Sequence, residues 1–220
     1  MSRDAFIIDG IRTPIGSFRG SLSGVRADDM AALPIQYLAD KYPFLRRETD
    51  DVIMGCANQA GEDNRNIARM ALLLAGLDYS VPGETVNRLC ASGMSSVVQA
   101  GRAIHAGDGD IFIAGGAEHM TRSPYVIAKT AQPFGSDATL YDSSFGWRFV
   151  NPRMKELYGV DAMGETAENL AEKYNISRSE QDLFAFQSQM KASMAQQHGC
   201  LLYTSPSPRD TERSRMPSSA

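Results

Sequence analysis

Cysteine is scarce in this chain, and its scarcity limits the classes of protein to which the chain can belong. Cys56, Cys90 and Cys200 are the three cysteines among 220 residues. They include no Cys-x-x-Cys pair and are too few for a disulfide framework, which favours a reducing, cytoplasmic compartment. In the sequence, no group of His, Cys, Asp or Glu has the spacing of metal ligands, so no metal site is expected.

Long apolar runs and an excess of basic charge are also absent. No run approaches the roughly 18 apolar residues that span a bilayer. The apolar stretch at residues 5–8 is shorter than that of a signal peptide. The net charge of −4 argues against a nucleic-acid partner and provides no polybasic patch for a membrane surface. With 43% hydrophobic and 22% charged residues, the composition is that of a globular protein.

Short apolar runs alternate with helical patterns over the first 120 residues. The runs predict buried strands at residues 5–9, 51–56, 85–89 and 111–115. Helices are predicted between them, the first with Asp28 or Asp29 as its cap. This alternation predicts an α/β fold in which a mixed or parallel sheet carries helices on both faces.

The chain changes in character after residue 120. Residues 125–159 are rich in Pro, Gly and aromatic side chains, which predicts a loop-rich insertion; the aromatics either pack as its own small core or wall a pocket. Helices follow, the last opened by a capping box from Ser177 to Glu180. We therefore expect an α/β domain (1–120), an incomplete loop domain with helices (121–200) and a disordered, non-native tail (201–220), for which a genuine flexible tail is the alternative.

Cys90 stands where the third predicted strand meets a helix. Backbone N–H groups without an intrahelical partner and the positive end of the helix dipole both lie at such an elbow. They favour the thiolate, which is the nucleophilic form. Gly93 has no side chain to block a ligand that approaches the elbow. A free cysteine is also commonly an inert core residue, so position alone leaves both interpretations open.

Four blocks of the sequence resemble motifs of the thiolase family, and together they cover roughly residues 1–200. The block around Cys90, residues 87–94 (NRLCASGM), is similar to the nucleophile motif of that family. The other blocks stand in the family's order and approximate spacing: residues 12–16 (RTPIG), 115–124 (GGAEHMTRSP) and 163–169 (MGETAEN).

The resemblance implies the N-terminal half of a duplicated α/β fold that acts as an acyl-CoA C-acyltransferase. Cys90 would accept an acyl group as a thioester and pass it between CoA and a 3-ketoacyl-CoA, with its own backbone N–H helping to hold the charged oxygen. Met163 would line the acyl or pantetheine pocket, with core packing as the alternative. The resemblance implies no cofactor besides CoA as substrate or product, and full-length relatives that are dimers or tetramers.

Two further blocks look most like the thiolases that act on 3-oxoadipyl-CoA. They are residues 55–66 (GCANQAGEDNRN) and 145–152 (FGWRFVNP). This similarity implies a dicarboxylic acyl-CoA substrate in aromatic-compound or fatty-acid breakdown. Arg65, Arg69 and Arg148 are candidates to meet the distal carboxylate, because guanidinium groups suit planar carboxylates. Surface or ion-paired roles are the alternative for each arginine.

The sequence also departs from the family. Thiolases need a second cysteine as acid and base and a histidine that activates the nucleophile, and both come from a C-terminal half that these 220 residues do not contain. His119, after the fourth predicted strand, is interpreted as structural or as an indirect support. The alternatives to a thiolase fragment are a ketoacyl-synthase relative and a non-catalytic CoA-binding or interaction fragment.

We predict that the purified 220-residue chain has little or no thiolase turnover. Without a neighbouring base, only about a few per cent of a cysteine side chain is in the thiolate form near neutral pH. The measurement is the loss of acetoacetyl-CoA or 3-oxoadipyl-CoA in the presence of CoA, with a full-length thiolase as the positive control. Thiolysis at a rate near that of the control contradicts this prediction.

Overall fold

The computed structural model describes residues 3–198. Cys200 and the tail predicted at residues 201–220 lie outside the described residues. Backbone contacts divide the chain into two units. Among the described residues, those up to Val126 and Asp142–Ser144 form the first unit, and Ile127–Tyr141 and residues 145–198 form the second. The domain boundary at residue 120 stays a prediction.

The first unit is built on three parallel strands. β1 (Asp51–Gly55) lies in the middle, between β2 (Gly83–Val86) and β3 (Phe112–Gly116). Val52 pairs with Gly83 on one side and with Ile113 on the other. Because the three strands run in the same direction, their carboxyl ends meet at one edge of the sheet, where ligands of such sheets bind.

Helices cover both faces of this sheet, as predicted. Val52 and Met54 belong to the buried core that α1 (Ala27–Lys41) and α3 (Ile67–Leu74) share with the sheet. Side chains alternate between the faces of a strand, so Gly55 lies on the opposite face, where α4 (Ser92–Ala106) packs. A short helix, α2 (Leu45–Glu48), joins α1 to β1. No helix among residues 3–198 is long and apolar enough to cross a membrane.

The buried strand predicted at residues 5–9 is wrong for this structure. The segment is not a strand, and the exposed fractions of Phe6, Ile7 and Ile8 are 74%, 85% and 80%. Asp9 at its end pairs with Lys41 at an N–O distance of 2.8 Å. Among the described residues the segment has no neighbouring strand, so its apolar side chains have nothing to pack against.

The start of α1 is capped by a distant residue, and the prediction that Asp28 or Asp29 caps it is wrong. Arg26 is the N-cap and makes no capping hydrogen bond with its side chain. Instead the carboxylate of Glu62, in the loop after β1, accepts the N–H of Ala27 at 3.0 Å. A carboxylate at this position also complements the positive end of the helix dipole.

Glu62 connects three segments of the first unit. Arg122, which follows β3, donates to both oxygens of the Glu62 carboxylate, from Nε to Oε2 at 2.9 Å and from Nη2 to Oε1. Arg26 donates to Oε1 at 3.3 Å. These contacts, led by the hydrogen bond from Arg122, lower the pKa of Glu62 from its ordinary value of 4.5 to about 2. The loop after β1 is therefore joined to α1 and to the segment after β3.

The second unit is less packed than the first. It contains α5 (Pro152–Tyr158), α6 (Met163–Lys173) and α7 (Arg178–Gln197). The described residues also include a two-stranded sheet of β4 (Tyr125–Ile127) and β5 (Leu140–Asp142). The predicted capping box at the start of α7 is confirmed: the N–H of Ser177 donates to Glu180 Oε2 at 2.8 Å, and the N–H of Glu180 donates to Ser177 Oγ at 3.3 Å.

The aromatic side chains of the insertion do not form a buried core, so that interpretation is wrong. Phe134, Phe145 and Trp147 are exposed. Tyr141 and Phe149 make an edge contact, with their ring centroids 5.2 Å apart. The pocket-wall interpretation stays a prediction.

We predict that Glu62→Gln lowers the free energy of unfolding of the chain by roughly 2 kcal/mol at pH 7. The folded-state pKa lies below the ordinary value, so this stabilisation is fully present above pH 4.5 and is lost as the pH falls towards about 2. Urea unfolding across this pH range measures it. Glu84→Gln, which removes an exposed carboxylate from the same unit, is the matched control and changes the stability little. Equal effects of the two variants contradict the assignment.

Candidate active site

The turn between β2 and α4 carries Cys90 at the carboxyl edge of the sheet. β2 ends at Val86, so the strand stops before residue 89, where the sequence predicted its end. Leu89 has a φ of 49°, in the left-handed region. That conformation costs a bulky residue about 1–3 kcal/mol. Cys90 follows it directly and is exposed, so its thiol lies open to a ligand rather than in the core.

Two side chains hold this turn through hydrogen bonds to its backbone. Asn87 Oδ1 accepts the N–H of Leu89 at 2.9 Å. Ser92 Oγ accepts the N–H of Arg88 at 2.8 Å and donates to the carbonyl oxygen of Leu89 at 2.6 Å. Asn87 Nδ2 donates to the carbonyl oxygen of Ala57, beyond the end of β1, at 2.9 Å. The turn that presents Cys90 is thus fixed from two sides.

The first turn of α4 lies against the ends of β1 and β3 without side chains between them. A Cβ at Gly55 would overlap the backbone of Ser92. A Cβ at Gly116 would lie 3.0 Å from the carbonyl oxygen of Gly55 and 3.2 Å from the Cα of Gly93. Glycine at residues 55 and 116 therefore permits the close approach that sets the position of the helix start.

Ser96 fastens α4 to the sheet one turn further along the helix. Its side chain is fully buried. Its Oγ lies 2.7 Å from the carbonyl oxygen of Gly115 in β3 and 2.6 Å from that of Gly93. A buried hydroxyl with two such acceptors fixes the rotation of the helix about its axis.

The start of α4 provides a favourable environment for negative charge. The helix has 15 residues, and its N-cap, Ala91, has no side chain that can cap the first N–H groups. Cys90 immediately precedes this N-cap. Cys90 therefore lies beside the positive end of the dipole of α4.

Cys56 lies at the end of β1 in an opposite environment. It is 1% exposed, and its Sγ donates to Asp63 Oδ2 at 3.6 Å. Burial, together with the charge of Glu118, raises the pKa of the Cys56 thiol to about 12. Cys56 consequently stays protonated and shielded at neutral pH, whereas Cys90 is exposed.

The fold gathers three potential metal ligands that the sequence spacing did not reveal. Cys56, Asp63 and Glu118 each offer one ligand atom, and these three atoms lie within 4.8 Å of one another. The oxygens of Glu118 already accept the N–H groups of Ala57 and Asn58, at 2.8 Å and 3.1 Å. These hydrogen bonds, with that from Cys56 to Asp63, tie the end of β1 to the segment after β3.

His119 is buried, and its ring is engaged with the backbone. Nε2 lies 3.2 Å from the carbonyl oxygen of Leu22. Since a carbonyl oxygen only accepts hydrogen bonds, Nε2 carries the proton in this arrangement. The geometry is that of a structural histidine, in agreement with its interpretation from the sequence.

The remaining predicted residues lie apart from this turn in the chain. Met163 is the first residue of α6, in the second unit, and its side chain is 83% exposed. Arg69 donates from its guanidinium to the carbonyl oxygens of Val81 and Tyr79, the latter at 2.8 Å. Arg69 therefore supports the loop before β2, whereas Arg65 is exposed.

A groove of about 450 Å³ lies away from Cys90, beside the amino ends of the strands. Asp51, Glu84 and Arg102 are among its lining residues, and no residue of the turn at 87–91 contributes to it. Asp51 Oδ1 has no hydrogen-bond partner there, and burial raises the pKa of this carboxyl. The groove is separate from the candidate nucleophile.

Comparison with known proteins gives a consistent result. Residues 5–203 match the family model described as the N-terminal domain of thiolase. The chain is 58% identical over 200 residues to the beta-ketoadipyl-CoA thiolase of Escherichia coli, with 90% of this chain and 50% of that protein covered. It is 56% identical over 200 residues to the enzyme of the same name from Pseudomonas aeruginosa, with the same coverage.

A solved structure shows the same fold. The acetyl-CoA acetyltransferase of Bacillus anthracis superposes with a TM-score of 0.72 at 33% identity, covering 90% of this chain and 49% of that one. This chain therefore spans about half the length of the proteins it matches.

We predict that iodoacetamide alkylates Cys90 at least about 100 times faster than Cys56 at pH 7, because the thiolate is the reactive form. Peptide mass spectrometry after timed quenching measures the two rates separately. Cys200 is replaced by serine in all samples so that it does not compete. Equal rates at the two cysteines contradict the assignment of Cys90 as the reactive thiol.

Proposed function

We propose, on the premise that this chain belongs to the thiolase family, that it supplies the nucleophilic half of an acyl-CoA C-acyltransferase. The observation that carries the proposal is the exposed Cys90 on a fixed turn at the start of α4. It lies beside the positive end of the helix dipole, whereas burial holds Cys56 as a thiol.

In the proposed reaction, the Cys90 thiolate attacks the 3-keto carbonyl carbon of a 3-ketoacyl-CoA. A bond forms between Sγ and that carbon, and negative charge develops on the oxygen, which the backbone N–H of Cys90 helps to hold. Collapse breaks the bond between the α and β carbons, and the departing acetyl-CoA carbanion takes a proton. The thiol of a second CoA then attacks the Cys90 thioester, which releases the shortened acyl-CoA and restores the cysteine.

The proton transfers in this sequence need an acid and a base, and neither His119 nor Cys56 is suited to these roles. His119 donates to the backbone, and Cys56 is buried. The chain also spans about half the length of its relatives. We therefore assign the acid and base to the part of a full-length thiolase that this chain does not contain, and turnover to the complete protein.

The proposed substrate is 3-oxoadipyl-CoA or a similar dicarboxylic acyl-CoA. Support comes from relatives named beta-ketoadipyl-CoA thiolase at 56–58% identity. Arg69 does not suit the distal carboxylate, because its guanidinium donates to backbone carbonyl oxygens. Arg65 and Arg148 stay candidates, and Met163 stays a candidate for the acyl or pantetheine pocket.

The remaining proposals concern the setting of the reaction. CoA serves as substrate and product with no further cofactor, and the complete protein works in the cytoplasm as a homo-oligomer. Three parts of the chain are proposed: the α/β domain at residues 1–120, the incomplete loop domain at 121–200 and a tail at 201–220.

The test is acylation of Cys90 by acetyl-CoA, a half-reaction that needs one transfer and no turnover. Incubation followed by peptide mass spectrometry is expected to show an added acetyl group on Cys90 and none on Cys56. Cys90→Ser abolishes the label, and Cys56→Ser, the matched control, retains it. A folded chain that binds acetyl-CoA without acylation at Cys90 contradicts the proposal and supports a non-catalytic CoA-binding fragment. Transfer from a carrier-protein thioester but not from acetyl-CoA supports a ketoacyl-synthase relative.

A further inference from the structure

Packing does not explain the backbone conformation of Leu89. Its φ is 49°, and its side chain is 72% exposed. Left-handed backbone is uncommon for residues other than glycine, asparagine and aspartate. Such conformations persist where neighbouring groups determine them, and they occur often at functional sites. Since packing does not hold Leu89, its hydrogen bonds must do so.

Both peptide groups of Leu89 are bound by side chains, and its carbonyl oxygen also accepts the backbone N–H of Ser92 at 3.0 Å. The N–H donates to Asn87 Oδ1 at 2.9 Å, and the carbonyl oxygen accepts from Ser92 Oγ at 2.6 Å. Ser92 is 4% exposed and is the first residue of α4, where the helix backbone lies against Gly55. This partner of Leu89 is therefore immobile relative to β1.

Hydrogen bonds connect Asn87 to the residues that follow β1 and β3. Its Nδ2 donates to the carbonyl oxygen of Ala57, which follows β1, and the N–H of Ala57 donates to Glu118 Oε2 at 2.8 Å. Glu118 follows β3. A continuous set of hydrogen bonds thus runs from the ends of β1 and β3 to the residue that precedes Cys90.

We infer that Ser92 and Asn87 are positioning residues, which lock Leu89 in the left-handed conformation and so fix the direction in which Cys90 presents its thiol. The inference rests on the proposed acyl transfer and extends it to residues that touch neither substrate nor sulfur. Attack on a thioester requires a defined approach to the carbonyl carbon and an aligned N–H for its oxygen. Alkylation by iodoacetamide requires neither an oxygen site nor this alignment.

The experiment compares two reactions at Cys90 in four forms of the chain: the unchanged sequence, Ser92→Ala, Leu89→Gly, and the double variant. Acylation is measured with acetyl-CoA and with a small aryl thioester, and alkylation with iodoacetamide. Ser92→Ala is expected to slow acylation by either donor at least about tenfold, while alkylation changes by less than about twofold. In the double variant part of the acylation rate returns, because glycine adopts positive φ at no steric cost.

Asn87→Ala is expected to repeat the selective loss of acylation, since it removes the side-chain hydrogen bond to the N–H of Leu89. Alkylation of Cys56 reports the integrity of the fold in every sample, because that thiol is buried in the folded chain. If acylation and alkylation of Cys90 fall together in Ser92→Ala and Cys56 becomes reactive, the variant has lost its fold. Ser92 then supports the fold as a whole, and the positioning role is overturned. Unchanged acylation in Ser92→Ala overturns it as well.

The two donors separate this inference from the proposed function. If the aryl thioester acylates Cys90 and acetyl-CoA does not, the proposed function fails, and the Ser92→Ala comparison with the aryl thioester still decides the inference. If neither donor acylates Cys90 in the unchanged chain, both fail. If acetyl-CoA acylates Cys90 equally fast in all four forms, the function stands and the inference alone fails.

Discussion

The backbone of α4 approaches the sheet so closely that no side chain fits between them at Gly55, and the geometry of the candidate site depends on this contact. The approach places the helix start directly over the ends of β1 and β3. Ser96, buried and bonded to the carbonyl oxygen of Gly115, then fixes the helix about its axis. Because Cys90 lies immediately before this helix start, the same contact fixes how far the thiol stands from the sheet edge.

Two cysteines at neighbouring strand ends show how strongly environment decides their chemistry. Cys56 faces the core that α1 and α3 share with the sheet, beside the carboxylates of Asp63 and Glu118. Cys90 is exposed next to the positive end of a helix dipole. Burial and negative neighbours hold the first as a thiol, and solvent can reach the second. The sheet edge thus holds one buried and one exposed sulfur.

The sequence was informative where local pattern and tertiary structure agree. Short apolar runs predicted the bounds of β1 and β3 to within one residue. The Ser177–Glu180 capping box predicted the start of α7. Pattern was insufficient where a distant partner decides the outcome. Glu62 caps α1 from 35 residues along the chain, and no local signal indicates it. The run at residues 5–9 is apolar enough for a strand, but no strand among the described residues pairs with it. The left-handed Leu89 follows from Asn87 and Ser92, whose roles emerge only from the folded turn.

The buried core of the first unit has a consequence for how the chain is made. Its members run from Ala31 to Ile113, so every side chain that it needs has been synthesised soon after β3 leaves the ribosome. Domains generally fold as units, with the N-terminal part first during translation. The nascent chain can therefore assemble this sheet and its helices while α5, α6 and α7 are still being translated. The cysteine turn would then exist before any downstream segment could contact it.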